Sequence, residues 1–205
     1  MIYEITNSTQ VKRIEIEIPD LRYIDYFIKL NCVIDLLKLK LFPNAKEITE
    51  TVAIWKAMKQ VEVPDEPNTF ALVAGDGRTP RTAGFIAFIS RHITAYSIDP
   101  ELEIKPEYGQ IRRLHLIKTK AEECNYGFVK AGSFVCFIFP HSHAPVPEVL
   151  KKFFETSPVE KVLVIDMPCC FDYKICEPEM EYEDFGVWSK KRRIKIFSVN
   201  KKLFS

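Results

Sequence analysis

The stretch from Phe70 to Pro80 constrains the fold more than any other. Phe70-Ala-Leu-Val-Ala74 is an unbroken apolar run. A strand wetted on one face alternates apolar and polar residues, so a short continuous run fits a strand covered on both faces. The run stops at Gly75-Asp-Gly-Arg-Thr-Pro80. There Thr79 predicts a helix N-cap, and Pro80 suits the first helical position. Ala83, Phe85, Ile86, Phe88 and Ile89 supply the apolar side of that helix. Strand, glycine turn and helix make the opening of a βαβ unit.

The same grammar continues downstream. Ile93–Ile98 predicts a strand that ends at Asp99-Pro100, Arg113–Lys118 a third strand, and Ser133–Phe139 a fourth. Pro147 opens a helix that runs through Phe154, and Lys161–Ile165 is a fifth strand. Phe171–Glu177 and Arg193–Val199 predict two last strands, paired antiparallel. Strands that alternate with helices imply a mostly parallel sheet with right-handed crossovers. In such sheets ligands bind beyond the carboxyl ends of the strands. This directs attention to residues 75–80, 99–100, 119–123, 140–144 and 166–170.

Upstream of residue 67 the pattern is helical. Arg13–Ile18 reads as a short strand or arm. From Leu21, residues Ile24, Phe27, Ile28, Ile34, Leu37 and Leu41 recur at helical spacing, with Asp20 as cap and Pro43 as stop. A second helix starts at Asn44, which has capping-box spacing to Glu47, and shows Ile48, Val52, Trp55 and Met58 on one face. Val61–Asn68 carries two prolines and reads as a linker. The chain therefore divides into an N-terminal arm and helical extension, residues 1–66, and a sheet domain, residues 67–205. Tyr23, Tyr26, Phe27 and Trp55 of the extension read as packing against the sheet or as cover for a ligand.

Composition narrows the functional classes. The chain has 205 residues, 47% hydrophobic and 28% charged, with a formal net charge of +1. That is a globular composition without a bulk positive charge to capture nucleic acid. The basic end, Lys190-Lys-Arg-Arg193 with Lys195, Lys201 and Lys202, reads as a charged edge strand. The longest apolar runs are too short to span a bilayer, and the start of the chain lacks a signal-peptide core, so cytoplasmic placement and no membrane contact are expected. Its six cysteines are then free thiols.

Only seven glycines occur, and Gly75, Gly77 and Gly84 fall together after the first core strand. Gly75 and Gly77 allow a tight turn and close backbone approach to a ligand, and the next helix aims free N–H groups at the same place. Asp99 follows the second strand about 20 residues on, where an acid can hold ribose hydroxyls. On Phe70–Thr79, on Tyr96-Ser-Ile-Asp-Pro100 and on the terminal strand pair, residues 68–199 resemble the class I S-adenosylmethionine-dependent methyltransferases. The resemblance implies an α/β, Rossmann-like, mostly parallel seven-stranded sheet with a C-terminal antiparallel strand pair. It also implies S-adenosylmethionine as cofactor, with contacts at Ala74, Gly75, Asp76, Gly77, Arg78, Thr79, Asp99 and Pro140.

In that family substrate-facing residues follow the fourth strand, which makes His141 and His143 the candidate catalytic residues; imidazole titrates near neutral pH and suits a general base. Val73 and Thr79 depart from the family pattern, and Arg78 and Arg81 near a helix start would suit a phosphate. A non-catalytic module for a nucleotide or a protein partner is therefore the alternative, and a nucleic-acid methyltransferase guided by the basic tail is a third reading, not favoured. His141, His143, Cys169 and Cys170 together have the donor types of a zinc site. Adjacent cysteines chelate one ion poorly, however, so no metal is expected.

Overall fold

Alternate side chains of the first core strand enter two separate cores. Phe70, Leu72 and Ala74 join one cluster with Phe137, Phe139, Leu150 and Phe153, whereas Ala71 and Val73 join another with Val52, Phe85, Ile138 and Ile165. Two-sided burial is what the unbroken apolar run requires. The computed structural model describes residues 2–7, 10–15 and 20–204.

The chain starts with a hairpin, β1 (Ile2–Asn7) paired antiparallel to β2 (Gln10–Glu15). The arm expected at Arg13–Ile18 is thus in part a second hairpin strand; residues 16–18 lie outside the described residues. Helices α1 (Arg22–Ile28), α2 (Val33–Lys38) and α3 (Ala45–Gln60) follow. The remaining strands are β3 (Thr69–Ala74), β4 (Thr94–Ile98), β5 (Leu114–Ile117), β6 (Phe134–Pro140), β7 (Lys161–Met167), β8 (Met180–Glu183) and β9 (Arg193–Asn200). They form a seven-stranded sheet in the order β5-β4-β3-β6-β7-β9-β8. Neighbours from β5 through β7 are parallel, while β9 runs antiparallel to both β7 and β8. From β3 the chain builds outward to β4 and β5, then returns to add β6 on the other side. This reversal opens a crevice at the carboxyl ends of β3 and β6.

The extension covers one face. Leu36, Leu41, Val52, Ala53, Ile54 and Trp55 share a core with β3, β6 and β7, and with α4 (Arg81–Ile89). The α3 helix is buried on more than the single expected face: Thr49, Glu50, Thr51, Ala53 and Ile54 are buried alongside Val52 and Met58. Sandwiching between the sheet and the neighbouring helices requires this. On the opposite face α5 (Val146–Thr156) buries Val146, Val149, Leu150, Phe153 and Phe154, the i, i+3, i+4, i+7, i+8 stripe of an amphipathic helix. Phe153 meets Phe137 edge-to-face at 5.0 Å, and Tyr126 meets Phe137 at 5.5 Å.

Three expectations are corrected. The helix expected from Leu21 is two, α1 and α2, broken by turns over residues 29–32. Phe27 and Leu36 are buried, but Ile28, Ile34 and Leu37 are exposed, so one continuous apolar face does not exist. Phe171–Glu177 is not a strand; β8 begins at Met180, beyond Pro178. In β8, Met180 and Tyr182 pack toward the core while Glu181 and Glu183 face out. Thr79 is not the N-cap of α4: Pro80 occupies that position, and the Thr79 hydroxyl donates to the Leu41 carbonyl at 2.6 Å.

Candidate functional site

The carboxyl ends of β3, β4 and β6 surround a cleft of ≈ 460 Å³. Gly75 and Gly77 line it from the turn after β3, Asp99, Pro100 and Glu101 from the end of β4, and Lys120, Ala121 and Glu122 from the loop after β5. His141, His143, Ala144 and Pro145 close it from the loop after β6, and Arg81 from the start of α4.

Both turn glycines have positive φ, +76° for Gly75 and +85° for Gly77, a region open to glycine at little cost. Gly75 is fixed by closeness as well: a Cβ there would collide with the Ser142 side chain. Asp76, between them, turns into the protein and is fully buried. Its carboxylate accepts from Thr82 N at 2.9 Å, Ala83 N at 3.1 Å and Ser97 Oγ at 3.0 Å. Asp76 therefore caps α4 in the place expected for Thr79.

Asp99 is 8% exposed at the cleft floor. One carboxylate oxygen accepts from Gly77 N at 2.9 Å and the other from Glu101 N at 2.8 Å. It thus ties the glycine turn to the end of β4 and keeps lone pairs on both oxygens for further donors. Among the cofactor contacts expected from sequence, Gly75, Gly77 and Asp99 line the cleft. Ala74, Asp76, Thr79 and Pro140 do not line it. Arg78 points elsewhere: its guanidinium pairs with Glu103 at 2.5 Å on the exposed surface.

His141 and His143, both expected on the acceptor side, separate. His141 takes a left-handed backbone, φ +53°, and its Nε2 lies 3.3 Å from the buried Glu50 Oε1. Burial, then the charges of Lys46, Arg81 and Lys191, push its imidazole down to about 4, so it is neutral at pH 7. Glu50 is in turn 3.3 Å from Lys46 Nζ, and burial pushes its carboxyl above the usual range. Arg81 pairs with Glu47 at 3.3 Å and also donates to the Asp76 carbonyl. The first turns of α3 thus place Lys46, Glu47 and Glu50 behind the cleft. The sequence reading did not single these residues out; the signal was a carboxylate inside the otherwise buried stretch Thr49–Ile54.

His143 is exposed at the mouth and faces Cys169 and Cys170, from the loop after β7. The basic end of the chain is largely neutralised by neighbours: Arg192 pairs with Glu183, Arg193 with Asp172 and Glu181, and Lys195 with Asp172. No helix among the described residues is long and apolar enough to cross a membrane.

No protein-family model and no curated protein matches the sequence. Among solved structures, the chain is similar to MtNAS in complex with MTA and tNA, with a TM-score of 0.50 at 9% identity over 88% of this chain and 69% of that one. An RNA methyltransferase from Salinibacter ruber in complex with S-adenosyl-L-homocysteine gives 0.46 at 14% identity, over 78% of this chain and 94% of that one. Against a protein from Lactococcus lactis the TM-score is 0.42 at 12% identity over 56% of this chain, which spans 55% of that protein's length. With the strand order β5-β4-β3-β6-β7-β9-β8 and the single reversed strand β9, the MtNAS likeness shows that this chain has the Rossmann-like α/β fold that its resemblance to class I methyltransferases implies.

Proposed function

We propose that the cleft binds S-adenosylmethionine and that the protein is a methyltransferase. The observation that carries this reading is Asp99, presented at the end of β4 and bonded across the Gly75-Asp-Gly77 turn at the cleft floor. The donor set fits an adenosyl zwitterion. Asp99 and Glu101 can accept from ribose hydroxyls, Gly75 and Gly77 permit close approach, and Arg81 and Lys120 supply positive charge for a carboxylate. When bound, S-adenosylmethionine supplies an electrophilic methyl group.

The residues of this chain then have separate tasks. Asp99 holds the ribose and keeps the turn shut. His141, neutral and with its Nε2 3.3 Å from Glu50, lines the acceptor side; His143 borders the entrance. Alignment of acceptor and methyl carbon is the main demand of such a transfer.

A non-catalytic module for a nucleotide or partner is the second reading, favoured by one detail: both Asp99 oxygens already accept backbone N–H groups. A nucleic-acid acceptor has less support, because the basic tail is paired with acidic neighbours.

Calorimetry with S-adenosylmethionine, ATP and NAD separates these readings. The methyltransferase reading expects saturable binding of S-adenosylmethionine, weakened roughly tenfold or more by Asp99→Asn, which removes the charge and leaves one acceptor oxygen for the two backbone N–H groups of Gly77 and Glu101. Binding of ATP with no binding of S-adenosylmethionine overturns it in favour of the second reading.

A further inference from the structure

Cys169 and Cys170 belong to the loop after β7 and His143 to the loop after β6. The fold brings them together at the mouth of the cleft, their three ligand atoms all within 4.8 Å of one another. The two Sγ atoms are 3.6 Å apart. In a tetrahedral zinc site with Zn–S near 2.3 Å, the sulfur–sulfur edge is about 3.8 Å. Neighbouring cysteines are thus already spaced as two corners of such a tetrahedron, which answers the objection that adjacency raises from sequence alone. His141, the other histidine of the loop, turns away to Glu50 and is not part of the set.

Lys191 Nζ lies 3.9 Å from Cys169 Sγ and 3.6 Å from Cys170 Sγ. With a metal bound, the ammonium there would donate to the ligated sulfur from outside.

We propose that His143, Cys169 and Cys170 form a binding site for a thiophilic divalent cation, zinc in the first place. Two thiolates and one imidazole leave one of four positions for water or an incoming donor. That position stands at the entrance of the cleft, since His143 also lines it. With the metal bound, His143 is a ligand and His141 alone faces the acceptor. The site is independent of which molecule the cleft holds.

The test uses reduced, chelator-stripped full-length protein and the metal alone. Zn²⁺ titrated in competition with a chromophoric chelator is expected to bind at one equivalent. Co²⁺ is expected to give the thiolate charge-transfer absorption and intense visible bands of a tetrahedral site. Cys169→Ser and Cys170→Ser should each weaken binding more than about tenfold, and His143→Ala should also weaken it. Cys32→Ser and Cys176→Ser should leave it unchanged. In wild-type protein Zn²⁺ should slow alkylation of Cys169 and Cys170 but not of Cys176, a readout that needs no variant to fold. Binding below half an equivalent, or binding indifferent to Cys169→Ser and Cys170→Ser, overturns the site. So does alkylation of Cys169 and Cys170 that Zn²⁺ does not slow.

Discussion

Asp76 stands between two glycines that face a ligand cleft, yet its own side chain faces the protein. Three donors from α4 and β4 converge on its carboxylate, so Asp76→Ala removes a helix cap and strands buried N–H groups together. The expected loss is about 2–3 kcal/mol of stability in urea unfolding. Gly75 has two separable constraints. Gly75→Ala meets the Ser142 side chain and also places a Cβ at φ +76°. In a double-mutant cycle Ser142→Gly is expected to recover the steric part and leave a residual cost of about 1–2 kcal/mol from the backbone. Glycine type and position were legible in the sequence. The inward turn of Asp76 was not, because an aspartate in a glycine loop has the same local propensities whichever way it points.

At the scale of elements, the ends of α4 show how much of a helix is settled by distant residues. Its C-terminus is closed by Arg113, whose guanidinium donates to the Ala87 and Ser90 carbonyls at 2.9 and 2.7 Å and to Ile93 O at 3.1 Å. A cation on the last carbonyls also suits the helix dipole. Arg113→Ala is expected to cost about 1–3 kcal/mol, and hydrogen exchange should show faster opening in the last turn of α4 than elsewhere in the sheet. The expected positions of β3, β4, β6, β7 and α5 agree with the structure to within a few residues, since each has a long or strongly periodic apolar pattern. Phe171–Glu177 fails as a strand for the opposite reason. Its aromatic and β-branched residues resemble a strand, but Asp172 is occupied in ion pairs with Arg193 and Lys195, and the edge is filled by Met180–Glu183.

Across the whole molecule, the extension and the C-terminal hairpin are stitched together. Tyr23 donates to Asp184 at 2.5 Å, Trp188 Nε1 to the Asp20 carbonyl at 2.7 Å, and Trp188 N to Thr49 Oγ1 at 3.1 Å. A buried acid on β7 couples the packed interior to pH. Burial, with Asp172 nearby and against the pull of Lys195, raises the Asp166 carboxyl to about 7. The folded state then holds this proton more tightly than the unfolded chain does. The resulting stability is complete below the ordinary value of 3.8 and is lost as pH rises through about 7. Asp166→Asn is expected to flatten this dependence and to exceed wild type at pH above about 8, by roughly 1–3 kcal/mol, in urea unfolding measured across pH.

The sequence by itself determined the two-faced strand Phe70–Ala74, the glycine turn, the acid at the end of the next strand, and hence the α/β class and the end of the sheet where a ligand belongs. Those features are local: hydrophobic period, φ freedom and residue order act over a few positions. Only the tertiary structure decided which side chains reach the cleft. Arg78 turned out to Glu103, Asp76 turned in, Glu50 was brought from α3 to His141, and His143 was brought to Cys169 and Cys170. Apart from the bonds of Asp76 to the start of α4, each of these pairings closes a loop of tens of residues through packing, and no local pattern encodes a contact whose partners are set by how two faces of a sheet are covered.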